Sequence, residues 1–355
     1  MTTLLLCPEL FARESGIQRI LRLYLKALCE QAETGGTVRL VVLNDRDLPA
    51  GQLHRYAGGT LGAHHACGRR KFAFVCRSLG AARGAERVVC GHLGQLPVAW
   101  LAQRRRPRLD YFLVAHGIEV WRSYTWIERV ALRRARRILC VSDFTRREML
   151  RRIALPESRL VVLPNALDPD LAVDEAAAPP EDPVILTVAR LDAAEGYKGV
   201  DHLIAALPAV RQALPAARLR VIGTGDDLPR LRNLAGGLGL AGAVEFTGPV
   251  DDAKLRHAYR TCRLFALPSR GEGFGIVFLE AMAQGRPCLG ARAGATPEII
   301  DATAGVLVEY GDSAEIARQA VWALQHPWNA EQIKQRAAQF SYPVFARRLR
   351  QALAA

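Results

Sequence analysis

Short apolar runs alternate with amphipathic stretches along the first half of the chain. The apolar runs occupy residues 3–7, 37–43, 87–90, 111–115, 138–141 and 160–163. Helix-like stretches lie between them, such as residues 18–30, and Asp143 after Ser142 is a plausible cap for a helix over residues 144–153. This alternation predicts a parallel sheet with helices on both faces.

The same alternation restarts in the second half, after a segment rich in Pro, Ala and Glu. Strands are predicted at residues 184–189, 218–222, 244–246, 263–267 and 305–308, and helices at 202–213, 228–238, 252–260 and 315–325. The pattern predicts an N-terminal domain over residues 1–168, a linker over 169–183, a C-terminal domain over 184–340 and a terminal helix within 341–355. We therefore expect an α/β protein with two doubly wound, Rossmann-like domains that face each other across a cleft, the default ligand site for such sheets.

One stretch in the second half, residues 269–290, combines glycines, a fully apolar helix and two carboxylates. Glu272 lies in the Gly-rich turn, and Glu280 lies inside the apolar helix, where an unpaired charge is costly. The helix N-terminus at Phe274 and Gly275 offers free amides to a phosphate, and Ile276 lies one turn before Glu280 on the same face. The stretch indicates a pocket for a phosphorylated, hydroxyl-rich ligand. The alternative is a tight turn before a core helix, with Glu280 tied to a neighbouring Arg.

Two further loops in the second half carry candidate phosphate ligands. Arg190 and Lys198 lie between a strand and the helix that begins near residue 200, where two cations could neutralise a diphosphate. A solvated loop is the alternative. Gly223 and Gly225 follow the strand at 218–222, where they would allow a ligand to approach closely or form a tight turn.

The first half offers a glycine and a histidine at strand ends. Gly16 lies between the first strand and the first helix, a position typical of phosphate binding. His116 ends the strand at 111–115 and could contact a sugar hydroxyl or assist at a reacting centre, unless it is structural. We predict no metal site. A loop-like region supplies four potential metal ligands, but their spacing is not that of a metal site: His54, His64, His65 and Cys67. Asp45 and Asp47 form an Asp-x-Asp tripeptide, which is frequent by chance.

Charge is distributed unevenly along the chain, whose formal net charge is +13. Residues up to 170 contain 28 Lys and Arg against 15 Asp and Glu, whereas residues from 171 onward contain 20 of each. Such asymmetry indicates that the first half meets a polyanion, namely a membrane surface, a phosphorylated acceptor or nucleic acid. The chain shows no nucleic-acid motif. Trp121, Tyr124 and Trp126 beside the Arg-rich segment 129–137 suit an anionic membrane interface, although a solvated helix face is the alternative.

The compartment is also suggested by composition. The eight cysteines form no Cys-x-x-Cys pair, which favours a reducing environment. No apolar run approaches about 20 residues, and residues 1–7 read as a first strand rather than a signal peptide. We therefore expect a cytoplasmic protein.

Taken in order, these motifs resemble those of the retaining glycosyltransferases of family 4, also called glycosyl transferases group 1, which have the GT-B fold. The resemblance covers essentially the whole chain and rests on the following residues: Gly16, His116-Gly117, Ser142-Asp143-Phe144, Pro164-Asn165-Ala166, Arg190 with Lys198, Gly223-Thr-Gly225, and Glu272 with Glu280 eight residues later. Two features depart from the family pattern. In the first loop, a single glycine, Gly16, follows Ser15 where family members often have paired glycines. In the second half, residues 192–196 form an insertion.

The resemblance implies a role for each candidate residue. The C-terminal domain would bind a nucleotide-sugar, with Arg190 and Lys198 on the diphosphate, Glu272 on donor-sugar hydroxyls and Glu280 on the ribose. The remaining donor contacts would come from Gly16, Gly223, Gly225, Phe274, Gly275 and Ile276, and His116 would lie at the reacting sugar. The family needs no metal or other cofactor and no protein nucleophile, and its terminal helix packs back on the N-terminal, acceptor-binding domain.

By this resemblance we expect a nucleotide-sugar-dependent retaining hexosyltransferase, of mannosyl or glucosyl type. Its acceptor would be a lipid-linked saccharide or a lipopolysaccharide or exopolysaccharide, reached from the inner face of the cell membrane with the basic first half against anionic lipid. The alternatives are a soluble transferase acting on a small sugar or sugar phosphate, and a catalytically silent scaffold that only binds nucleotide.

Overall fold

A computed structural model describes residues 1–12, 15–32, 35–169 and 182–354. The chain divides into two compact units, Met1–Asp168 with Tyr342–Ala355, and Pro169–Ser341. Most of the predicted linker, residues 170–181, lies outside the described residues. Within the described ranges, no helix combines the length and the apolar content that crossing a bilayer requires.

The first unit is built on a seven-stranded parallel sheet with the strand order β3-β2-β1-β4-β5-β6-β7. Its strands are β1 Thr2–Cys7, β2 Thr37–Val42, β3 Leu61–Ala66, β4 Arg87–Cys90, β5 Asp110–Ala115, β6 Arg137–Cys140 and β7 Leu160–Val162. Its helices are α1 Gly16–Ala32, α2 Ala50–Ala57, α3 Lys71–Ala81, α4 Leu96–Arg105, α5 Trp126–Arg134, α6 Asp143–Leu150 and, at the end of the chain, α14 Tyr342–Ala354.

Alternate side chains of β1 enter different cores, because successive residues of a strand point to opposite faces of the sheet. Leu5 packs in the core that contains α1, whereas Leu4 and Leu6 pack in the core on the other face. Both cores are fully buried, so helices cover the sheet on both sides, as the continuous apolar run of β1 predicts.

The terminal helix α14 packs against α1 within the first unit. The ring of Phe345 meets the ring of Tyr24 edge to face, with centroids 5.0 Å apart. The Tyr342 hydroxyl donates to Glu30 Oε2 at 2.6 Å. The last helix therefore contributes apolar side chains to the core of a domain whose other elements end about 170 residues earlier in the sequence.

The second unit repeats this architecture with a six-stranded parallel sheet in the order β10-β9-β8-β11-β12-β13. Its strands are β8 Val184–Val188, β9 Arg218–Ile222, β10 Val244–Gly248, β11 Leu264–Leu267, β12 Cys288–Ala291 and β13 Gly305–Val308. Its helices are α7 Val200–Ala213, α8 Leu228–Gly237, α9 Asp252–Thr261, α10 Ile276–Ala283, α11 Thr296–Ile299, α12 Ser313–Gln325 and α13 Ala330–Ala338. The predicted α/β class with two Rossmann-like sheets is confirmed.

The structure corrects several local predictions. Strands β3 and β12 were not expected, so His64 and His65 lie on an edge strand rather than in a loop, and His54 lies in α2. Ser142, not Asp143, caps α6, because its side chain accepts the Thr145 N–H at 3.1 Å. Asp143 is instead the first helical residue, where its charge suits the helix dipole.

The aromatic side chains near α5 are also placed differently from the prediction. Trp121 packs edge to face on Phe144, and Tyr124 is buried, with its hydroxyl donating to the Val120 carbonyl at 2.5 Å. Only Trp126 of the three expected interface aromatics is exposed. The predicted aromatic membrane belt at α5 is therefore reduced to one ring.

Candidate functional site

The candidate donor site of the second unit lies at the carboxyl ends of three adjacent strands. Strand β8 lies between β9 and β11 in the sheet. The loops that follow these strands contain Arg190 and Lys198, Gly223 and Gly225, and Glu272. Because the strands are parallel, all three loops lie at the same edge, which is where such sheets bind ligands.

Lys198 and Glu272 form a largely buried ion pair across two of these loops. Lys198 Nζ lies 2.6 Å from Glu272 Oε1, and the side chains are 19% and 10% exposed. Burial is the largest single effect and disfavours the charged lysine, but Glu272, together with Tyr197 and Glu195, raises the pKa of Lys198. Lys198 therefore remains a cation at neutral pH. The sequence predicted both residues as ligands but did not predict that they pair with each other, 74 residues apart.

Arg190 pairs with Glu195, which lies in the insertion that the sequence left unexplained. The insertion forms a 3₁₀ helix over Ala193–Lys198, and Glu195 contacts the Arg190 guanidinium through one terminal nitrogen. The Arg190 side chain remains 61% exposed, so most of its donors face solvent. Arg190 and Lys198 line one open pocket. The two predicted diphosphate ligands are thus brought together.

The 3₁₀ helix over Ala193–Lys198 is attached to the turn that carries Glu272. The Arg270 N–H donates to the Tyr197 carbonyl at 3.0 Å. The Tyr197 ring lies so close to Gly271 that a Cβ there would come within 2.7 Å of it. The 3₁₀ helix and the Gly-rich turn therefore pack together, which positions Lys198 next to Glu272.

Gly223 and Gly225 allow the β9 loop to pack against the β8 loop. Gly223 adopts φ +141°, and a Cβ at this position would collide with the Ala189 carbonyl oxygen. A Cβ at Gly225 would collide with the Leu191 backbone. This contact supports the tight-turn alternative, and it fixes the backbone on both sides of Arg190.

The N-cap of α10 is Gly275, which has φ +90°. The first amides of a helix have no partner within it, so this end offers donors to an anion. Phe274 is committed elsewhere, because its ring packs edge to face on Phe340 with centroids 5.7 Å apart. Any contact of Phe274 with a ligand is therefore made by its backbone rather than its ring. Ile276, the first helical residue, is partly buried.

Glu280 is 5% exposed, and its Oε2 accepts a hydrogen bond from the Tyr259 hydroxyl at 2.7 Å. One bonded group is therefore the hydroxyl of a tyrosine on α9. This donor lowers the cost of burying the carboxylate.

The candidate site of the first unit lies along the carboxyl edge of its sheet. Gly16 begins α1 after β1, and the ends of β4 and β5 carry His92 and His116. Because β1, β4 and β5 are neighbours, these residues lie in that order along the edge. Sequence reasoning missed His92, whose position after a buried strand, in Cys90-Gly91-His92, would have identified it.

His116 is buried and has one orphaned ring nitrogen. Nε2 lies 2.8 Å from the Gly91 carbonyl, which only accepts, so Nε2 carries the proton. Nδ1 is buried and has no hydrogen-bond partner among the described residues. Burial lowers the pKa of His116, although Glu119 and the Gly91 carbonyl act in the opposite direction. The side chain therefore presents a neutral acceptor.

The Asp-x-Asp tripeptide has a structural role at Asp45. This buried carboxylate accepts the backbone N–H groups of Leu10, Phe11 and Ala12 at 2.8–3.1 Å. Asp45 therefore anchors the segment that leads toward Gly16. Within the part of the chain that the structure describes, no group of three or more His, Cys, Asp or Glu side chains is arranged to hold a metal ion.

Two family models match the chain. "Glycosyltransferase Family 4" matches residues 15–171, and "Glycosyl transferases group 1" matches residues 182–326. The GDP-mannose-dependent alpha-(1-6)-phosphatidylinositol monomannoside mannosyltransferase of Mycobacterium tuberculosis is 33% identical over 247 residues, which is 63% of this chain and 63% of that protein. The phosphatidyl-myo-inositol mannosyltransferase of Mycobacterium leprae is 34% identical over 206 residues, 57% of this chain and 52% of that protein. The matched regions span less than two thirds of each relative.

Solved structures share the fold across the whole chain. The crystal structure of Anabaena HepE in complex with UDP matches with a TM-score of 0.79 at 19% identity and covers 100% of both chains. The lipopolysaccharide outer core galactosyltransferase WaaB matches with a TM-score of 0.74 at 17% identity, covering 100% of this chain and 99% of that one. With the family models matching both units, the chain belongs to the family 4 type of glycosyltransferases and has the GT-B fold.

Proposed function

We propose that this chain is a retaining transferase that moves a mannosyl or glucosyl unit from a nucleotide-sugar to a lipid-linked saccharide or a lipopolysaccharide or exopolysaccharide acceptor at the cytoplasmic membrane face. The observation that carries the proposal is the Lys198–Glu272 pair beside the exposed Arg190, at the carboxyl ends of adjacent strands β8 and β11. The names of the mycobacterial relatives, which include GDP-mannose and phosphatidylinositol, support a mannosyl donor and a lipid acceptor.

The two cations suit a leaving nucleoside diphosphate. Arg190 has its remaining donors in solvent and can bind a phosphate bidentately, and Lys198 supplies a point charge. The amides of Phe274, Gly275 and Ile276 at the start of α10 add uncharged donors. Charge that develops on the departing phosphate would meet preorganised positive groups, which is how such sites lower a reaction barrier.

The two carboxylates suit hydroxyl groups. Glu272 has one oxygen on Lys198 and would accept donor-sugar hydroxyls with the other, whereas Glu280 would accept those of the ribose. Glu272 is a weak nucleophile because Lys198 neutralises it. We therefore expect phosphate departure and acceptor attack on the same face of the sugar, without a covalent protein intermediate.

The first unit would contribute a phosphate contact at Gly16 and a sugar contact at His116. The orphaned Nδ1 of His116 is a buried lone pair that a sugar hydroxyl would satisfy. Arg190 and Lys198 supply the charge that a divalent ion would otherwise bring, so we expect activity to persist in EDTA.

A thermal-shift screen with GDP-mannose, UDP-glucose, ADP-glucose and dTDP-glucose tests the donor site. We expect one base to be preferred, and we expect Lys198→Ala and Glu280→Ala each to abolish its shift. A wild-type shift in both variants would refute the pocket. NMR of the transfer product then tests retention through the anomeric coupling. Transfer only to soluble sugars would favour a soluble enzyme, and binding without hydrolysis or transfer would favour a silent scaffold.

A further inference from the structure

A carboxylate without an ion-pair partner lies at the carboxyl edge of the first unit's sheet, in the half of the chain that carries the whole net charge. Glu119 follows β5, three residues after His116, and is half-buried. Its Oε1 accepts the His116 N–H at 2.5 Å, the one hydrogen bond that the described residues provide for this side chain. Glu119 Oε2 is not enclosed by the protein and is therefore available to a ligand.

The arginine that follows three residues later is committed to another carboxylate. Two nitrogens of the Arg122 guanidinium donate to the two carboxylate oxygens of Glu128, at 2.7 and 3.1 Å. Glu128 is itself held at the start of α5, where it accepts the Thr125 N–H at 2.8 Å. The negative charge of Glu119 is thus a local exception on a basic domain, and no ion pair within the described ranges cancels it.

Two histidine rings lie close to this carboxylate. Burial lowers the pKa of both His92 and His116, and the charge of Glu119 acts in the opposite direction on each ring. The two histidines follow the adjacent strands β4 and β5. His116 Nε2 donates to the Gly91 carbonyl at 2.8 Å, which joins the two strand ends. The three side chains therefore form one cluster within the first unit.

Each member of the cluster has one atom fixed by the backbone and one atom left for a ligand. His92 Nδ1 accepts the Gly94 N–H at 3.0 Å, so the proton of the neutral ring is on Nε2, which is not enclosed. In His116 the order is reversed, because Nε2 is bound and Nδ1 has no partner in the described part of the chain. Together with Glu119 Oε2, the cluster presents one donor and two acceptors.

The turn between His116 and Glu119 depends on a glycine. Gly117 has φ +148° and ψ −111°, a backbone conformation that residues with a side chain strongly disfavour. The Val120 N–H donates to the Gly117 carbonyl at 2.8 Å and closes the turn. This reversal brings the Glu119 carboxylate back to the His116 N–H, so the cluster is in place before a ligand binds.

The free atoms of the cluster suit hydroxyl groups better than anions. A hydroxyl both donates and accepts, so two neighbouring hydroxyls can satisfy the His92 donor and the two acceptors together. A phosphate or carboxylate in the same place brings no proton to the acceptors, and Glu119 would repel its charge. The chemistry of the cluster therefore favours an uncharged sugar ring.

We propose that Glu119 and His92 select the acceptor by binding neighbouring hydroxyls of an uncharged sugar ring, and that Glu119 rejects a ring that carries a phosphate. This inference rests on the proposed function, in which the first unit binds the acceptor. For a lipid-linked acceptor, the phosphate that leads to the lipid would then lie outside the ring that reacts. Glu119 would set this preference by its charge, and His92 would add affinity without affecting the preference.

Two probes that share one ring and differ in charge test this selection. The full chain is titrated with methyl α-D-mannopyranoside or with its 6-phosphate at about 0.1 M NaCl, where charges interact over about 10 Å. Saturation-transfer NMR gives the two dissociation constants. We expect the neutral probe to bind at least about tenfold more tightly than the phosphorylated probe. The ratio should shrink at about 1 M NaCl, where screening acts within about 3 Å.

Three variants separate the roles of charge and hydrogen bonding. Glu119→Gln can still accept the His116 N–H but has no charge, so the two probes should bind within about twofold of each other. The control Glu157→Gln removes the same charge from a side chain that is 75% exposed, and should keep the wild-type ratio. His92→Asn can still accept the Gly94 N–H but lacks the outward donor, so both probes should bind about fivefold more weakly at an unchanged ratio.

Three outcomes would overturn the proposal: no binding of the neutral probe to the wild type, equal binding of the two probes, or a ratio that Glu119→Gln leaves unchanged. The thermal shift produced by the preferred nucleotide-sugar shows that each variant is folded. Donor hydrolysis is measured in the same preparations. Hydrolysis without selection between the probes would reject the role of Glu119 and leave the transferase standing, whereas selection that depends on Glu119, without hydrolysis or transfer, would reject the transferase alone.

Discussion

The Lys198–Glu272 pair makes a quantitative prediction about stability. Lys198→Met preserves the stem of the side chain and removes its charge, which leaves the Glu272 carboxylate in a site where only about a tenth of its surface reaches solvent. Breaking a largely buried pair in this way costs about 3 kcal/mol. For a unit of about 170 residues this corresponds to a melting temperature lower by about 6–12 °C.

The pH dependence of this effect has a definite sign. Burial lowers the pKa of Lys198, but Glu272, together with Tyr197 and Glu195, raises it above its usual value of 10.5. A group with a raised folded-state pKa stabilises the fold fully below its unfolded pKa and loses that effect as pH rises through the folded pKa. The difference between wild type and Lys198→Met should therefore be constant from pH 6 to 9 and shrink above about pH 10.5.

Differential scanning calorimetry of the unliganded chain measures this effect. The matched control is Lys334→Met in the same unit, because Lys334 pairs at 3.1 Å with Glu331, whose side chain is 68% exposed. Such a surface pair contributes about 0–1 kcal/mol. Adding Glu272→Gln to Lys198→Met should recover more than half of the loss. Equal losses in the two single lysine variants, or no recovery in the double variant, would refute the reasoning.

Three further predictions follow from local geometry. Gly223→Ala should lower the melting temperature by several degrees, because its Cβ would collide with the Ala189 carbonyl oxygen. Gly236→Ala lies at an open helical position and should raise the free energy of unfolding by about 0.5–1 kcal/mol. Calorimetry of both variants checks the contrast. Glu195→Gln should tighten nucleoside diphosphate binding about threefold in titration calorimetry, because it removes a carboxylate that competes for Arg190. Weaker binding would instead mean that Glu195 orients the Arg190 guanidinium for the ligand. The NMR titration of the His116 ring should have its midpoint below pH 6.5, because burial lowers its pKa. The free energy of unfolding should fall as acid charges the buried ring. A midpoint above pH 6.5 would contradict the burial argument.

The elements with an unambiguous hydrophobic pattern could be predicted from the sequence. The α10 helix is apolar on all sides and ends before Gly285, and β1 is a continuous apolar run, so both patterns allow only a buried element. The two-domain α/β class follows from the repeated alternation. The short strands β3 and β12 were missed because Leu-Gly-Ala-His-His-Ala and Cys-Leu-Gly-Ala show neither apolar alternation nor β-branched residues.

The candidate ligands could be named from the sequence because each lies just after a predicted strand, the edge where parallel sheets bind ligands. Their partners could not be named. Lys198 and Glu272 are paired by two loops that pack against each other in space, and Glu280 and Tyr259 by two helices, α10 and α9. Arg190 and Glu195 lie in one loop, whose conformation brings them together.

The sequence by itself determined the fold class, the order of the elements and the charge of the first half, because these depend on local pattern and composition. The tertiary structure alone decided which charges are neutralised. Within one basic half of the chain, it packs the partly buried Trp121 on Phe144, buries Tyr124, pairs Arg122 with Glu128, and leaves Phe72 exposed. The physical reason is that burial and ion pairing depend on groups brought together from distant parts of the chain, and no local pattern records those distances.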